Sequence, residues 1–304
     1  MSNGVASDLL FAQAFRELEP YLIKGVKKTT DRKRLGIGSY GAVYELNVQG
    51  TLCAGKQLHE SLLDPQNIHQ GDKILSRFVE ECRIMASVRH PNIVQFLGLH
   101  FFQDSSHPIL VMEKLAMSLD DLLMDAEKKK AMLPLSLKVS ILSDTAKGLA
   151  YLHNHKPQII HRDLTSRNIL LTLAMQAKIT DLGNALIIKS HAATKAMTQA
   201  PGTAVYMPPE AMRPLPKYDS AIDMFSYGHL TLYTLIQEFP SDLLPATFAA
   251  DGDPRNILAR SEVERREKYM NMLHVMLGKD HQLAQIVTKC LSYTPSDRDR
   301  KSVV

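Results

Sequence analysis

The sequence predicts an α+β chain with room for two lobes, and three observations predict it. Strand-like runs gather between residues 35 and 113 around one helical stretch, and from Ser118 onward apolar residues recur at spacings of three and four. The chain has 304 residues, 45% of them hydrophobic, enough to bury a sizeable core. Thirty-six Lys and Arg against thirty-two Asp and Glu leave a net charge of +4, spread along the chain without a basic tail, which argues against a nucleic-acid partner. Cys53, Cys82 and Cys290 are few, far apart and odd in number, which excludes a disulfide framework and a CxxC-type zinc cluster and reads as reduced thiols. The N-terminus MSNGVASDLLFAQ has no basic stretch followed by a long apolar one, and no window reaches the length of a transmembrane helix, so the expectation is a soluble, cytoplasmic protein.

Taken in order, residues from about Ala6 to Lys24 place Leu9, Leu10, Ala12, Phe15, Leu18 and Leu22 at helical spacing. An amphipathic helix or linker over residues 5–28 therefore precedes a main domain over 29–304. Packing back on that domain, or ending a preceding linker, outweighs partner binding as its role. Leu35-Gly36-Ile37-Gly38-Ser39-Tyr40-Gly41 then sits between strand-like runs. Such glycines permit a hairpin whose backbone N–H groups can approach phosphates. Because residues 42–48 continue as a strand and another follows at 52–58, a Rossmann reading, which needs a helix directly after the glycines, does not apply. Lys56 lies on that second strand. Ile74, Phe78, Val79, Cys82, Met85 and Ala86 repeat at three and four, giving a helix over Gln70–Val88 that carries Glu80 and Glu81. Residues 93–102 and 108–113 supply two more strands, five in all.

From Ser118, a candidate N-cap, the pattern turns helical, and Val139, Leu142, Ala146, Leu149 and Leu152 form a second stripe that ends at His153-Asn154-His155-Lys156-Pro157. The two histidines read as exposed. Between short apolar runs, Asp163 and Asn168 stand five residues apart, a spacing that can present a proton acceptor and a metal ligand side by side, although turn residues of the same types are common. A strand over 177–180 leads to Asp181-Leu182-Gly183; helical stretches follow at 220–228, 255–277 and 282–291.

The run His161-Arg162-Asp163-Leu164-x-x-x-Asn168 resembles the catalytic loop of eukaryotic protein kinases, and further parts of that family follow in its order: the glycine run, Lys56, Glu81, the catalytic loop, Asp181-Leu182-Gly183, Pro208-Pro209-Glu210, Asp223 and Arg298. The resemblance spans about Thr30 to Val304. It implies a bilobal fold, with a small antiparallel sheet lobe and one helix (29–113), a hinge (113–116) and a mainly helical large lobe (117–304), ATP lying in the cleft. The last helix of the family would begin where the sequence stops, so the chain reads as a domain cut from a longer one. By resemblance Asp163 accepts the hydroxyl proton of a protein substrate, Lys56 holds the α- and β-phosphates, Glu81 pairs with Lys56, and Asn168 and Asp181 bind Mg²⁺. Leu35, Gly36, Gly38, Gly41, Val43, Ala54, Met112, Glu113, Leu115 and Leu170 would contact ATP, with Met112 as a gatekeeper that narrows the pocket and the 113–115 backbone holding adenine. Asp223 would cap the catalytic-loop backbone, and Arg298 would pair with Glu210.

Gly55, where the family has a branched residue, is expected to loosen its strand; Leu182 replaces the usual Phe, and Pro208 an Ala. None of these removes a catalytic group, which speaks against the alternative of a pseudokinase scaffold. Asp163-Leu-Thr-Ser-Arg-Asn168 is closer to the tyrosine-kinase loop, whereas Gly202-Thr203-Ala-Val-Tyr-Met-Pro-Pro-Glu210 resembles the serine/threonine one. This mixture is typical of the tyrosine-kinase-like group and points to Ser/Thr, with tyrosine specificity as the alternative. Arg162 is expected to receive a phosphate carried by Thr194, Thr198 or Ser190, with Thr203 facing the substrate.

Overall fold

The computed structural model describes residues 16–31, 33–38, 41–59, 68–103, 108–188, 206–212, 219–237 and 254–298, and only the backbone at 68–73, 209, 212 and 254–265. The chain divides into two compact units, one running to Ala116 and including Asp181–Gly183, the other formed by Met117–Thr180 and the residues from Asn184.

The first unit is a six-stranded antiparallel sheet and one long helix. Strands β1 (Val26–Lys28), β3 (Gly41–Val48), β4 (Thr51–Leu58), β6 (Ile109–Glu113) and β5 (Phe96–His100) are neighbours in that order, and β2 (Arg34–Ile37) pairs with β3. The sixth strand corrects the sequence reading, which carries a helix to Lys24. Of the expected helix, residues 6–15 lie outside the described residues; residues 16–18 are helical and Glu19–Tyr21 tighten into a 3₁₀ turn. Pro20 cannot donate to a continuing helix, and Gly25 turns the chain at φ +76° into β1. The segment packs back on the sheet. Leu18 is buried, Ile23 N–H donates to Leu99 O (2.9 Å), and Tyr21 O and Ile23 come so close to Gly98 that any Cβ there would clash.

One sheet face is lined by Val26, Leu46, Cys53, Ile109 and Val111. Gly55 belongs to this packing, because a Cβ on it would lie 2.3 Å from Leu46 Cδ1 and 2.7 Å from Ile109 Cδ1. The strand is therefore filled by its neighbours rather than loosened. Helix α1 (Ile68–Ser87) buries Ile74, Phe78, Val79, Cys82 and Met85, the periodic positions of the sequence.

The second unit is mainly helical. It contains β7 (Met117–Ser118), α2 (Leu119–Lys128), α3 (Leu135–Asn154), β8 (Gln158–Ile160), β9 (Ile169–Leu171), β10 (Ala177–Ile179), β11 (Leu186–Ile188), α4 (Ala221–Ile236), α5 (Pro254–Leu277) and α6 (Gln282–Cys290). Ser118 caps α2 in a reciprocal box with Asp121. Every residue of α4 is buried, so it forms the axis of a core with Ile141, Leu149, Leu273 and Val287. Gly228 lets α6 approach: a Cβ there would stand 2.8 Å from Cys290 Cβ. Antiparallel pairs β10–β9–β7 and β11–β8 frame the segment 161–168.

Candidate active site

In the first unit, strand alternation brings Lys56 to the sheet face opposite Gly55, and α1 supplies Glu81. Lys56 Nζ donates to Glu81 Oε1 (2.7 Å) and Oε2 (2.9 Å) and to Asp181 Oδ1 (2.8 Å). Burial alone would push the ammonium down, but the two carboxylates outweigh it and hold Lys56 above its ordinary range. Burial raises Glu81, with Asp181 adding to that rise and Lys56 opposing it. Two carboxylates thus share one cation, Glu81 buried and Asp181 with its side chain 40% exposed. Gly183 packs closely beside them: a Cβ there would lie 3.0 Å from Glu81 Oε2 and 3.2 Å from Asp181 Oδ1. Leu182 is buried.

The three glycines of the hairpin differ. A Cβ on Gly41 would meet Gln57 O at 2.3 Å, so this glycine serves strand packing, whereas Gly36 has nothing within 4 Å and Gly38 only the Gly41 carbonyl. The open space at Gly36 and Gly38 suits an approaching phosphate; Ser39 and Tyr40 lie outside the described residues. Val43 pairs with Lys56, and Ala54 with the buried Met112. Glu113 N–H is taken by Gln95 O (3.0 Å). Leu35 is exposed.

In the second unit the segment 161–168 hangs from α4. Asp223, fully buried in the first turn of α4, accepts from the backbone N–H of His161 (2.8 Å) and of Arg162 (2.8 Å), which takes positive φ. His153 Nε2 lies 2.8 Å from Asp223 Oδ2. His153 and His155 are half-buried, which corrects the exposed reading; an end-of-helix histidine gives no periodic sign of a partner 70 residues ahead. Asn168 Nδ2 donates to Asp163 O (2.8 Å) and lies 3.4 Å from Asp163 Oδ2. Ser166 Oγ donates to Asp120 (2.6 Å) and lies 3.2 Å from Tyr206 OH, a buried tie that sequence motifs do not announce. Leu170 is half-buried on β9.

Residues 29–300 match the model of the protein kinase domain. The chain belongs to the protein kinase family. Among curated relatives, the kinase domain is 33% identical over 218 residues to the serine/threonine-protein kinase TNNI3K of Homo sapiens, covering 71% of this chain and 25% of the relative. It is 31% identical over 207 residues to the dual specificity protein kinase shkC of Dictyostelium discoideum (68% and 38%). It is 29% identical over 252 residues to a probable leucine-rich repeat receptor-like protein kinase of Arabidopsis thaliana (80% and 22%). The chain therefore spans well under half the length of these relatives. Within the kinase domain, Arg298 is fully buried and its guanidinium grips Glu210 through both terminal nitrogens, Nη2 at 2.9 Å from Oε2. Ser190, Thr194, Thr198 and Thr203 lie outside the described residues. No helix among the described residues is long and apolar enough to cross a membrane.

Proposed function

We propose that this domain transfers the γ-phosphoryl group of ATP to Ser or Thr hydroxyls of a protein, as its similarity to serine/threonine-protein kinases suggests. The observation that carries the reading is the placement of Lys56 between Glu81 and Asp181, each within 2.9 Å. An ammonium fixed by one carboxylate and shared with a second suits a site for a polyphosphate and its metal ion. Asp181 and the amide oxygen of Asn168 are hard oxygen donors, matched to Mg²⁺, which needs few protein ligands when phosphates complete its shell.

ATP with Mg²⁺, when bound, supplies the phosphoryl group. Lys56 binds and orients phosphate oxygens, Glu81 keeps the lysine aimed, and Asp163 orients the acceptor hydroxyl and takes its proton. Catalysis rests on positioning and charge stabilisation. Free cysteines at 53, 82 and 290, all buried, accord with a reducing, cytoplasmic location.

Asp163→Asn is expected to abolish transfer to a generic protein acceptor while leaving ATP binding nearly intact; near-native rates would refute the assignment. Asp181→Asn should instead weaken Mg·ATP binding, seen as a raised Mg²⁺ requirement. Phosphoamino-acid analysis showing phosphotyrosine alone would overturn the Ser/Thr reading.

A further inference from the structure

Asn184 directly follows the Asp181-Leu182-Gly183 turn, and no motif assigns it a task. Its backbone is held in place: Arg162 Nε donates to Asn184 O at 2.6 Å, and the Arg162 N–H is itself anchored on Asp223. So fixed, the half-buried side chain reaches back 21 residues and donates from Nδ2 to Asp163 Oδ2 at 3.3 Å. The amide nitrogen must face the carboxylate, since the amide oxygen would be repelled there. Asn168 Nδ2 stands 3.4 Å from the same Oδ2. Two amide donors, from residues on either side of the β9–β10 hairpin, thus converge on one oxygen of Asp163.

We propose that Asn184 is a positioning residue for the reaction, which holds Oδ2 and so fixes the plane in which Asp163 presents its other oxygen to the acceptor hydroxyl. This rests on the reading of Asp163 as the group that receives the hydroxyl proton. Asn184 touches neither substrate nor nucleotide; it acts through the orientation of the carboxylate. Loss of one of the two amide donors to Oδ2 loosens the hold on the carboxylate plane about its χ2 bond, and small misplacements of a catalytic group lower rates by an order of magnitude or more.

The experiment is steady-state phosphorylation of a generic protein acceptor by the full chain carrying Asn184→Leu, Asn184→Asp or Asn184→Ser, with Asp163→Asn alongside. Asn184→Leu removes the donor and should lower kcat about tenfold with KM for ATP unchanged. Asn184→Asp is isosteric but opposes one carboxylate with another, and should fall further. Asn184→Ser, which retains a hydroxyl donor, should recover part of the rate lost in Asn184→Leu. A merely structural asparagine would tolerate the isosteric aspartate, so wild-type kcat in Asn184→Asp beside an inactive Asp163→Asn overturns the role of Asn184 alone. Near-native turnover of Asp163→Asn would instead remove the reading on which it rests. If Asn184→Leu lowers the melting temperature, the comparison of Asn184→Ser with Asn184→Asp at a temperature where both are folded decides. Equal rates in that pair overturn the proposal, and a faster serine variant supports it.

Discussion

Asp223 is fully buried, and burial by itself would raise its carboxyl. The hydrogen bond and charge of His153, the charge of His161 and the N–H of Arg162 outweigh that and hold it below the ordinary range. A carboxyl whose folded pKa is depressed adds stability that is present above its unfolded pKa, about 3.9, and is lost as pH falls through the lower folded value. Asp223→Asn is expected to cost roughly 2–3 kcal/mol near neutrality, because it replaces charge-assisted bonds to two backbone donors with poorer ones. The difference from wild type should shrink as pH falls below about 4. Chemical denaturation across that range checks it, and a gap that widens toward acid would contradict the account.

At the scale of the element, β4 shows how a departure from a family's habit is absorbed by its neighbours. Gly55 leaves room that Leu46 of β3 and Ile109 of β6 occupy, both of them buried. Gly55→Val is accordingly expected to destabilise the domain by about 1–3 kcal/mol through overpacking, even though a branched residue suits a strand. Leu46→Ala made in the Gly55→Val chain should recover part of that loss, because the two side chains compete for one space. Thermal unfolding of the four members of this cycle measures the coupling; additive effects would rule out shared space. Residues 21–28 reach both ends of the same sheet: Val26–Lys28 pair with β3, and Ile23 passes β5, where Gly98, at φ +150°, admits its close approach.

Arg162 is the residue through which three things meet: its N–H is fixed by Asp223, its Nε holds Asn184, and it precedes Asp163. A phosphate on Thr194 or Thr198 would offer this guanidinium a stronger acceptor than a backbone carbonyl. Incubation with Mg·ATP is expected to place phosphate on one of these threonines, and the double variant Thr194→Ala/Thr198→Ala to lose at least several-fold in rate. Mass spectrometry with rate measurement tests both; an unphosphorylated loop with an unchanged rate in the double variant excludes control by these residues.

The family, five of the six strands of the first sheet, the main helices in their order, and the polar side chains Lys56, Glu81, Asp163, Asn168, Asp181 and Asp223 are legible in the amino-acid sequence. Apolar periodicity reports which face of an element is buried, and short motifs keep their own spacing, so both survive in one dimension: α1 and α3 stand where their stripes put them, and Ser118 caps α2. What only the tertiary structure decided are the partnerships between distant residues. The sixth strand follows a stretch with a helical pattern, which Pro20 and Gly25 break before Val26–Lys28 pair with β3. His153 found Asp223, Gly55 was filled by Leu46 and Ile109, and Asn184 reached Asp163. Each of these depends on which surfaces the folded chain brings within a few ångströms, and a pattern of residue types carries no record of that distance.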